Sequence, residues 1–456
     1  MLYTENEKIR EYTEFFHCST CVILSLNSFG TLTIIYNKRI QRGLHKMEDT
    51  KILRKLAWDY LKIVTSEKNA GNINLHTAVN DLKQIRPVVL IDELPWNEMN
   101  IGHELTMQCT DPYLRGIEWF FRSNIYKNKH MPADMIVPPF VPVYKVIHST
   151  GIGISVEEET LATDPENGIV SHKYIDVLQT EEDLKKLHNP IITYDRKETL
   201  RRFNLAGEIL GDILPVELKG TDVLFVGPWD DLAMYRGVSN LLMDLADHPE
   251  FMHRIVSKLT DIKLAELEQY EALDLFDSNP FSLHCTPVHT SDLPGESFDG
   301  VKLTRKNIWG RGVAQIFASV SKAMHEEFDI EYMKKTVGQC GLVYYGCCEP
   351  LDKKIDIVEK IPNLRKISVT PWADVNVAAE AIGSKYVLSS KPNSAAVAMP
   401  MLDKENLKKE IGKILDACRR NNCSCDIVLK DISTCCRRPE NIFEWEQTVM
   451  HMVKNF

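Results

Sequence analysis

Apolar residues recur along this chain in two rhythms: short runs with little interruption, and longer stretches in which they return every three to four positions. From residue 86 onward the short runs are RPVVLIDEL (86–94), DVLFVG (222–227), NPFSLHC (279–285), GVAQIFA (312–318), GLVYYG (341–346), LRKISV (364–369), KYVLSS (385–390) and CDIVLK (425–430). Such runs predict buried strands, and eight is the number that closes an α/β barrel. Between them, stretches such as VSNLLMDLADHPEFMHRIVSKLTDIKLAELEQYEAL, KAMHEEFDIEYMKKTV and KENLKKEIGKILDACRR carry the helical period. Strand, helix, strand repetition predicts parallel pairing. The expected fold is therefore α/β, a (β/α)8 TIM barrel, with an open doubly wound sheet as the alternative.

Two regions depart from the repeat. Residues 97–190, with VPPFVPVYKV, an acidic EEETLATDPENG turn and a helix-like TEEDLKKLHN, read as an insertion covering the barrel mouth. At the other end, the amphipathic pattern MEDTKILRKLAWDYLKIVTSE starts a helical segment over 47–85. Residues 1–46 stand apart as an N-terminal extension that fits an over-extended gene start. Its apolar stretch CVILSLNSFGTLTIIY is broken by Asn27, Ser28 and Gly30, too short and polar for a transmembrane helix, and no basic region precedes it as in a signal peptide. Cys18 and Cys21 have the spacing of half a zinc knuckle, without a second half. The barrel with its insertion then spans 86–456.

Composition narrows the partners. A formal charge of -10, without basic runs, argues against general nucleic-acid or anionic-membrane binding. A small molecule or a protein is the expected partner, and oligomeric state stays open, a homodimer included. Twelve cysteines without a secretory signal fit a reducing cytoplasm, where grouped cysteines point to metal or redox chemistry before disulfides.

The cysteines are grouped. Cys347 and Cys348 follow the run GLVYYG and precede Glu349, while Cys435 and Cys436 follow CDIVLKDIS. If both runs are strands of one parallel sheet, both pairs sit at strand C-terminal ends, where such folds keep their sites. Adjacent cysteines can also be small buried hydrophobes. Two pairs at strand ends favour a thiolate metal site, with zinc the expected ion. His284, Cys285 and His289 close another run and add possible ligands or acids, His284 above all as a proton donor or substrate contact. Glu93 and Trp96, Trp229 with Asp230, Trp372 with Asp374, and Lys391 with Asn393 each follow a predicted strand. Each alone reads as a helix cap or packing group, and their shared placement makes them candidates to line a pocket. No phosphate-binding loop, dinucleotide fingerprint or nucleophile elbow occurs, which weakens kinase, Rossmann dehydrogenase and α/β-hydrolase readings.

GPWDDLAMYRGVSNLLMDLADHPEFMHRIVSKLT, AQIFASVSKAMHEEFDIEY and LVYYGCCEPLDKKIDIVEKIPNLRKISVTPWADVNVAAEAIGSKYVLSSKPNSAAV, taken in order, resemble the uroporphyrinogen decarboxylase superfamily over about residues 195–456. The resemblance implies a (β/α)8 barrel and two branches of chemistry: porphyrinogen decarboxylation and corrinoid-linked methyl transfer. The decarboxylase carries an Arg-rich segment after its first strand. Here that place holds Asp92 and Glu93, which repel a polycarboxylate.

The zinc methyltransferases of the family use a His-x-Cys pair and a later Cys, and on this chain the motif falls on Tyr345-Gly346-Cys347 and Cys436. Tyr345, a poor zinc ligand, replaces the His and becomes a substrate contact, so the third donor is expected among Cys348, Glu349, Cys435 and His284. The implied function is methyl transfer between a small donor or acceptor and a corrinoid (cobalamin) protein or thiol, zinc-assisted, in anaerobic metabolism. Glu349, Trp372, Asp374 and His284 would be catalytic. The cobalamin would ride on the partner, since no Asp-x-His-x-x-Gly signature occurs in this chain. Two alternatives remain: a decarboxylase-like lyase acting on a small acid or tetrapyrrole, and a non-catalytic metal or ligand sensor.

Overall fold

The computed structural model describes residues 30–162, 170–296 and 298–456, with side chains from residue 47; Cys18 and Cys21 lie outside the described residues. Two helices lead in, α1 (Gly30–Val64) and α2 (Glu67–Asn80). The second starts where the Ser66 hydroxyl accepts the Asn69 N–H, a serine N-cap.

The centre is a parallel sheet of seven strands: β1 (Val88–Ile91), β2 (Val223–Val226), β3 (Trp309–Gly312), β4 (Leu342–Tyr345), β5 (Leu364–Val369), β6 (Val387–Ser390) and β7 (Ser424–Leu429). They run in the order β1-β7-β6-β5-β4-β3-β2, every pair parallel, with Val88 opposite Asp426 and Gly312 opposite Tyr345. The first strand thus lies beside the last. Among the described residues, no backbone ladder joins β1 to β2.

The third expected strand, 279–285, is not in the sheet. Ser282–Leu283 pairs antiparallel with Thr286–Pro287 in a small hairpin. That hairpin lies on the sheet. Thr286 Oγ1 is 3.1 Å from Ser389 Oγ on β6, and Lys391 Nζ donates to the Cys285 carbonyl at 2.5 Å. The run was apolar because the hairpin is buried: Leu283 and Val288 pack on Trp309, Leu342 and Tyr344. The run expected at 312–318 is displaced too. Its strand is Trp309–Gly312, and Val313, Ala314 and Phe317 are buried in the turn beyond it.

Strand side chains alternate between the two faces of the sheet. One set, including Val89, Ile91, Leu224, Val226, Val343, Tyr345, Ile367, Leu388, Ile427 and Leu429, joins the largest apolar core. Against it pack α3 (Val375–Ile382), α4 (Lys404–Asn421) and α5 (Glu440–Lys454), through residues such as Ala378, Ile411 and Trp445. The opposite, inner face is polar, carrying Arg311, Tyr344, Lys366, Ser368, Ser389 and Asp426, all buried. On β3 the outward positions are Gly310 and Gly312. A Cβ at Gly312 would stand 2.9 Å from the Tyr345 ring and 3.0 Å from Met333 Sδ, so only glycine lets β4 and Met333 approach this closely.

The stretch from 97 to 222 holds a helix and short paired strands. Pro112–His130 is capped by Asp111, and Val141–Tyr144 pairs in parallel with Val216–Lys219. Ile147–Ser149 and Glu158–Leu161 pair antiparallel with Ile192–Tyr194 and Ser171–Tyr174. No helix among the described residues is long and apolar enough to cross a membrane.

Candidate metal centre

Three ligand-bearing side chains converge above the C-terminal ends of the strands. One donor atom each from His284, Cys285 and Cys347 lies within 4.8 Å of the others, the only such group among the described residues. Cys347 arrives on the turn after β4. Gly346 makes that turn at φ +93°, where a Cβ would strike Leu351 Cδ1 at 2.6 Å. The Cys347 N–H then donates to Glu349 Oε2 at 2.9 Å, and Glu349 Oε1 accepts from Ala314 N at 3.2 Å. Glu349 is thus fully buried and braces the cysteine turn from behind. Burial pushes its carboxyl up to about 7.

His284 and Cys285 arrive on the inner-face hairpin. Cys285 adopts φ +61°, and its N–H donates to Asp92 Oδ2 at 3.2 Å. His284 Nε2 is 2.9 Å from Glu93 Oε1. The acidic pair after β1, expected to meet substrate, therefore orients two of the donors. A carboxylate behind a ligand imidazole fixes its tautomer and raises its basicity.

Charge in the cluster is shared. Hydrogen bonding to Cys347 and then Glu93 raises His284 to about 9. Contacts from the Cys285 and Cys348 thiols hold Cys347 far below the ordinary thiol range, whereas the same contact and burial push Cys285 up. Lys430, one residue past β7, brings Nζ to 3.4 Å from Cys347 Sγ, 3.2 Å from Cys348 Sγ and 2.5 Å from Asp431 Oδ2. Burial opposes its charge, and the neighbouring Cys347 sulfur restores it. Of the cluster's sulfurs, Cys347 is the one most favoured as thiolate, with imidazole and ammonium arranged around it.

The other expected site residues go elsewhere or stand at the edge. Cys348 is 3.8 Å from Cys347 sulfur to sulfur and 3.3 Å from Asp431 Oδ2, beside the group. Cys435 donates to Glu98 Oε2 at 3.2 Å and Cys436 to the Ala398 carbonyl at 3.1 Å, so neither thiol enters the group. The Tyr345 side chain faces the helices, not the inner face, with its hydroxyl 2.6 Å from both Asp329 Oδ2 and His325 Nε2. Trp229 is fully buried, and its indole N–H donates to the Phe328 carbonyl at 3.0 Å.

Asp374 is the N-cap of α3, accepting the Asn376 N–H at 2.9 Å, and Asn393 caps the turn Ser394–Ala396. Trp372 stands 72% exposed, and Trp96 packs edge-on against Trp119 at 5.0 Å. Lys391 does reach the inner face, against the Cys285 carbonyl. Sequence reasoning did not place Arg311, Lys430 or Asp431 here. The visible signals were the unusual charges within or just after apolar strands.

The donor set suits zinc. In a tetrahedral site with Zn–S of about 2.3 Å, two sulfurs stand roughly 3.8 Å apart, so donors within 4.8 Å need shift only slightly to close on one ion. Three protein donors leave one position open, the arrangement of catalytic rather than structural zinc.

No family model matches the chain. No curated protein matches it either. Among solved structures, it is similar to a methyltransferase from Methanosarcina mazei, with 10% identity and a TM-score of 0.45, over 82% of this chain and 97% of that one.

Proposed function

We propose that this protein is a zinc-assisted methyltransferase that moves a methyl group between a small substrate, bound at the open position of the His284–Cys285–Cys347 site, and a thiol or the corrinoid of a partner protein. The observation that carries this reading is the three-donor group of soft ligands at strand ends, with its carboxylate support from Glu93 and Asp92. It is joined by the ordered resemblance over about 195–456 to a superfamily containing such enzymes. The strand order, with β1 beside β7, supports a barrel-type sheet open at the β1/β2 seam. His284, from another segment, takes the part left vacant by Tyr345.

Bound zinc would supply Lewis acidity, lowering the pKa of a coordinated thiol or polarising a methylated heteroatom. The chain's own residues do the rest. Glu93 holds the His284 ring, Asp92 holds the Cys285 backbone, and Glu349 holds the Cys347 turn. Lys430 offsets thiolate charge on the side facing Asp431.

Zinc content, measured by mass spectrometry on protein purified without a metal-binding tag, tests the assignment. Cys347→Ser and Cys285→Ser should each lose most of about one zinc per chain, while Cys435→Ser and Cys436→Ser keep it. Undiminished zinc in Cys347→Ser sinks the site. Zinc bound by the wild-type protein without demethylation of methylcobalamin by any thiol tested sinks the reaction.

A further inference from the structure

Four cations line the inner face and the ends of its strands, and two have carboxylates. Lys366 Nζ lies 2.9 Å from Asp426 Oδ2, and Lys430 Nζ 2.5 Å from Asp431 Oδ2. Among the described residues, neither Arg311 nor Lys391 pairs with a carboxylate. Lys391, 2% exposed, donates only to neutral oxygens, the Cys285 carbonyl and Ser389 Oγ at 2.7 Å. Arg311, 4% exposed, is held between two rings, its Cζ 5.3 Å from the Phe225 centroid and 5.5 Å from that of Tyr344. Among the described residues, its Nε and Nη2 are buried without a hydrogen-bond partner, and the buried Tyr344 hydroxyl, on which the Ser368 side chain acts, makes no close bond.

Buried cations and donors are rarely left so, because their desolvation goes uncompensated. The two free nitrogens also have a geometry. Nε–H and one N–H of Nη2 point the same way from the guanidinium, the side-on fork that a planar carboxylate bridges with two parallel charge-assisted bonds. Burial opposes the Arg311 charge, and the cluster's Cys347 and Cys285 sulfurs, with a hydrogen bond to Cys347, help restore it. Two thiolates neutralise a divalent zinc, and Asp92 and Glu93 are held by the Cys285 backbone and by His284, so in the metal-loaded site no anion would sit directly on Arg311 or Lys391.

We infer that the Arg311 fork and the Tyr344 hydroxyl, with Lys391 as a second positive charge, are the receptor for a carboxylate on the substrate, whose sulfur or other methyl-bearing atom reaches the zinc. The substrate class is a short carboxylic acid with a thiol or methyl-heteroatom end, bound with its acid on the sheet and its reactive end at the strand tips. This rests on the zinc reading for the position of the reactive end and on Arg311 alone for the acid.

Calorimetric titration of the full chain with 3-mercaptopropionate and with 3-mercaptopropionamide tests it, because the two probes share the thiol and differ in charge. The acid should bind at least about tenfold tighter, as expected for a hydrogen bond to a charged group. Arg311→Met should erase that preference, the acid falling to the affinity of the amide in the same variant, with zinc still bound. Arg311→Lys, which keeps charge but not the fork, should retain only part of it, and covers the case in which the Met variant does not fold. Equal binding of the two probes to wild type, binding of neither, or full preference in Arg311→Met overturns the receptor. Zinc measured on the same samples separates the two ideas: metal without acid preference removes this inference alone, and acid preference without metal removes the zinc reading alone.

Discussion

Lys366→Met asks whether the polar inner face is held by compensated charge. Lys366 and Asp426 are both fully buried and meet at 2.9 Å across Ser389, whose hydroxyl donates to Asp426 Oδ1 at 2.5 Å. The same ammonium bonds Thr286 Oγ1 at 3.3 Å and the Pro287 carbonyl, so it also ties the hairpin to the sheet. Methionine fills similar volume and removes every one of these bonds. Breaking a buried pair from one side costs about 3–5 kcal/mol, and the orphaned Pro287 carbonyl adds about 1 kcal/mol.

Urea unfolding followed by the fluorescence of buried Trp309 and Trp445 reads the loss. With a slope of about 3 kcal/mol per molar, the first transition should move down by more than about 1 M. The double variant Lys366→Met/Asp426→Asn removes the stranded charge and should recover at least about 1.5 kcal/mol relative to the single. A single variant within about 1 kcal/mol of wild type, or a double variant with no recovery, would refute the compensation argument.

Two further predictions lie outside the metal centre. Tyr345→Phe removes the hydroxyl between Asp329 and His325, and should cost about 1–3 kcal/mol in urea unfolding while leaving zinc content unchanged; loss of zinc would place Tyr345 back in the site. His76, fully buried with Nε2 2.7 Å from the Asp134 carbonyl, is pushed down to about 4 by burial. A histidine depressed from 6.5 contributes stability that is present above pH 6.5 and lost as pH falls through about 4. Unfolding measured between pH 7 and 4.5 should show that loss, up to about 3 kcal/mol, and His76→Gln should flatten it. An unchanged slope would mean that His76 is not the source.

How much of this was legible depended on whether apolar pattern and position coincided. The runs at 222–227, 341–346, 364–369, 385–390 and 425–430 all hold sheet strands because their outward residues supply the main core. Pattern failed at 279–285, since a hairpin buried against a sheet needs the same apolar residues as a strand within it. It slipped on β3, where Gly310, Arg311 and Gly312 weaken the signal and the apolar residues belong to the following turn.

The site was half visible. Cys347 and His284 stood out by residue type, and Cys285 by adjacency to His284. The pairing of Cys347 with Cys435 or Cys436 was inferred from strand ends, but the left-handed turn at Cys436 and Arg437 and the Glu98 contacts draw those thiols elsewhere. Asp374 and Asn393 show the ordinary outcome for acids and amides after strands: they start helices.

The sheet order has a consequence for synthesis. Among the described residues, strand β1 finds its only ladder partner in β7, so Val88 must wait for Asp426, more than three hundred residues later in the chain. On a ribosome, β2 through β6 can pair in sequence as they emerge, yet the first strand of the sheet is the last to be joined. During that interval its edges are unpaired templates for other chains, which places the burden of correct assembly on the C-terminal thirty or so residues.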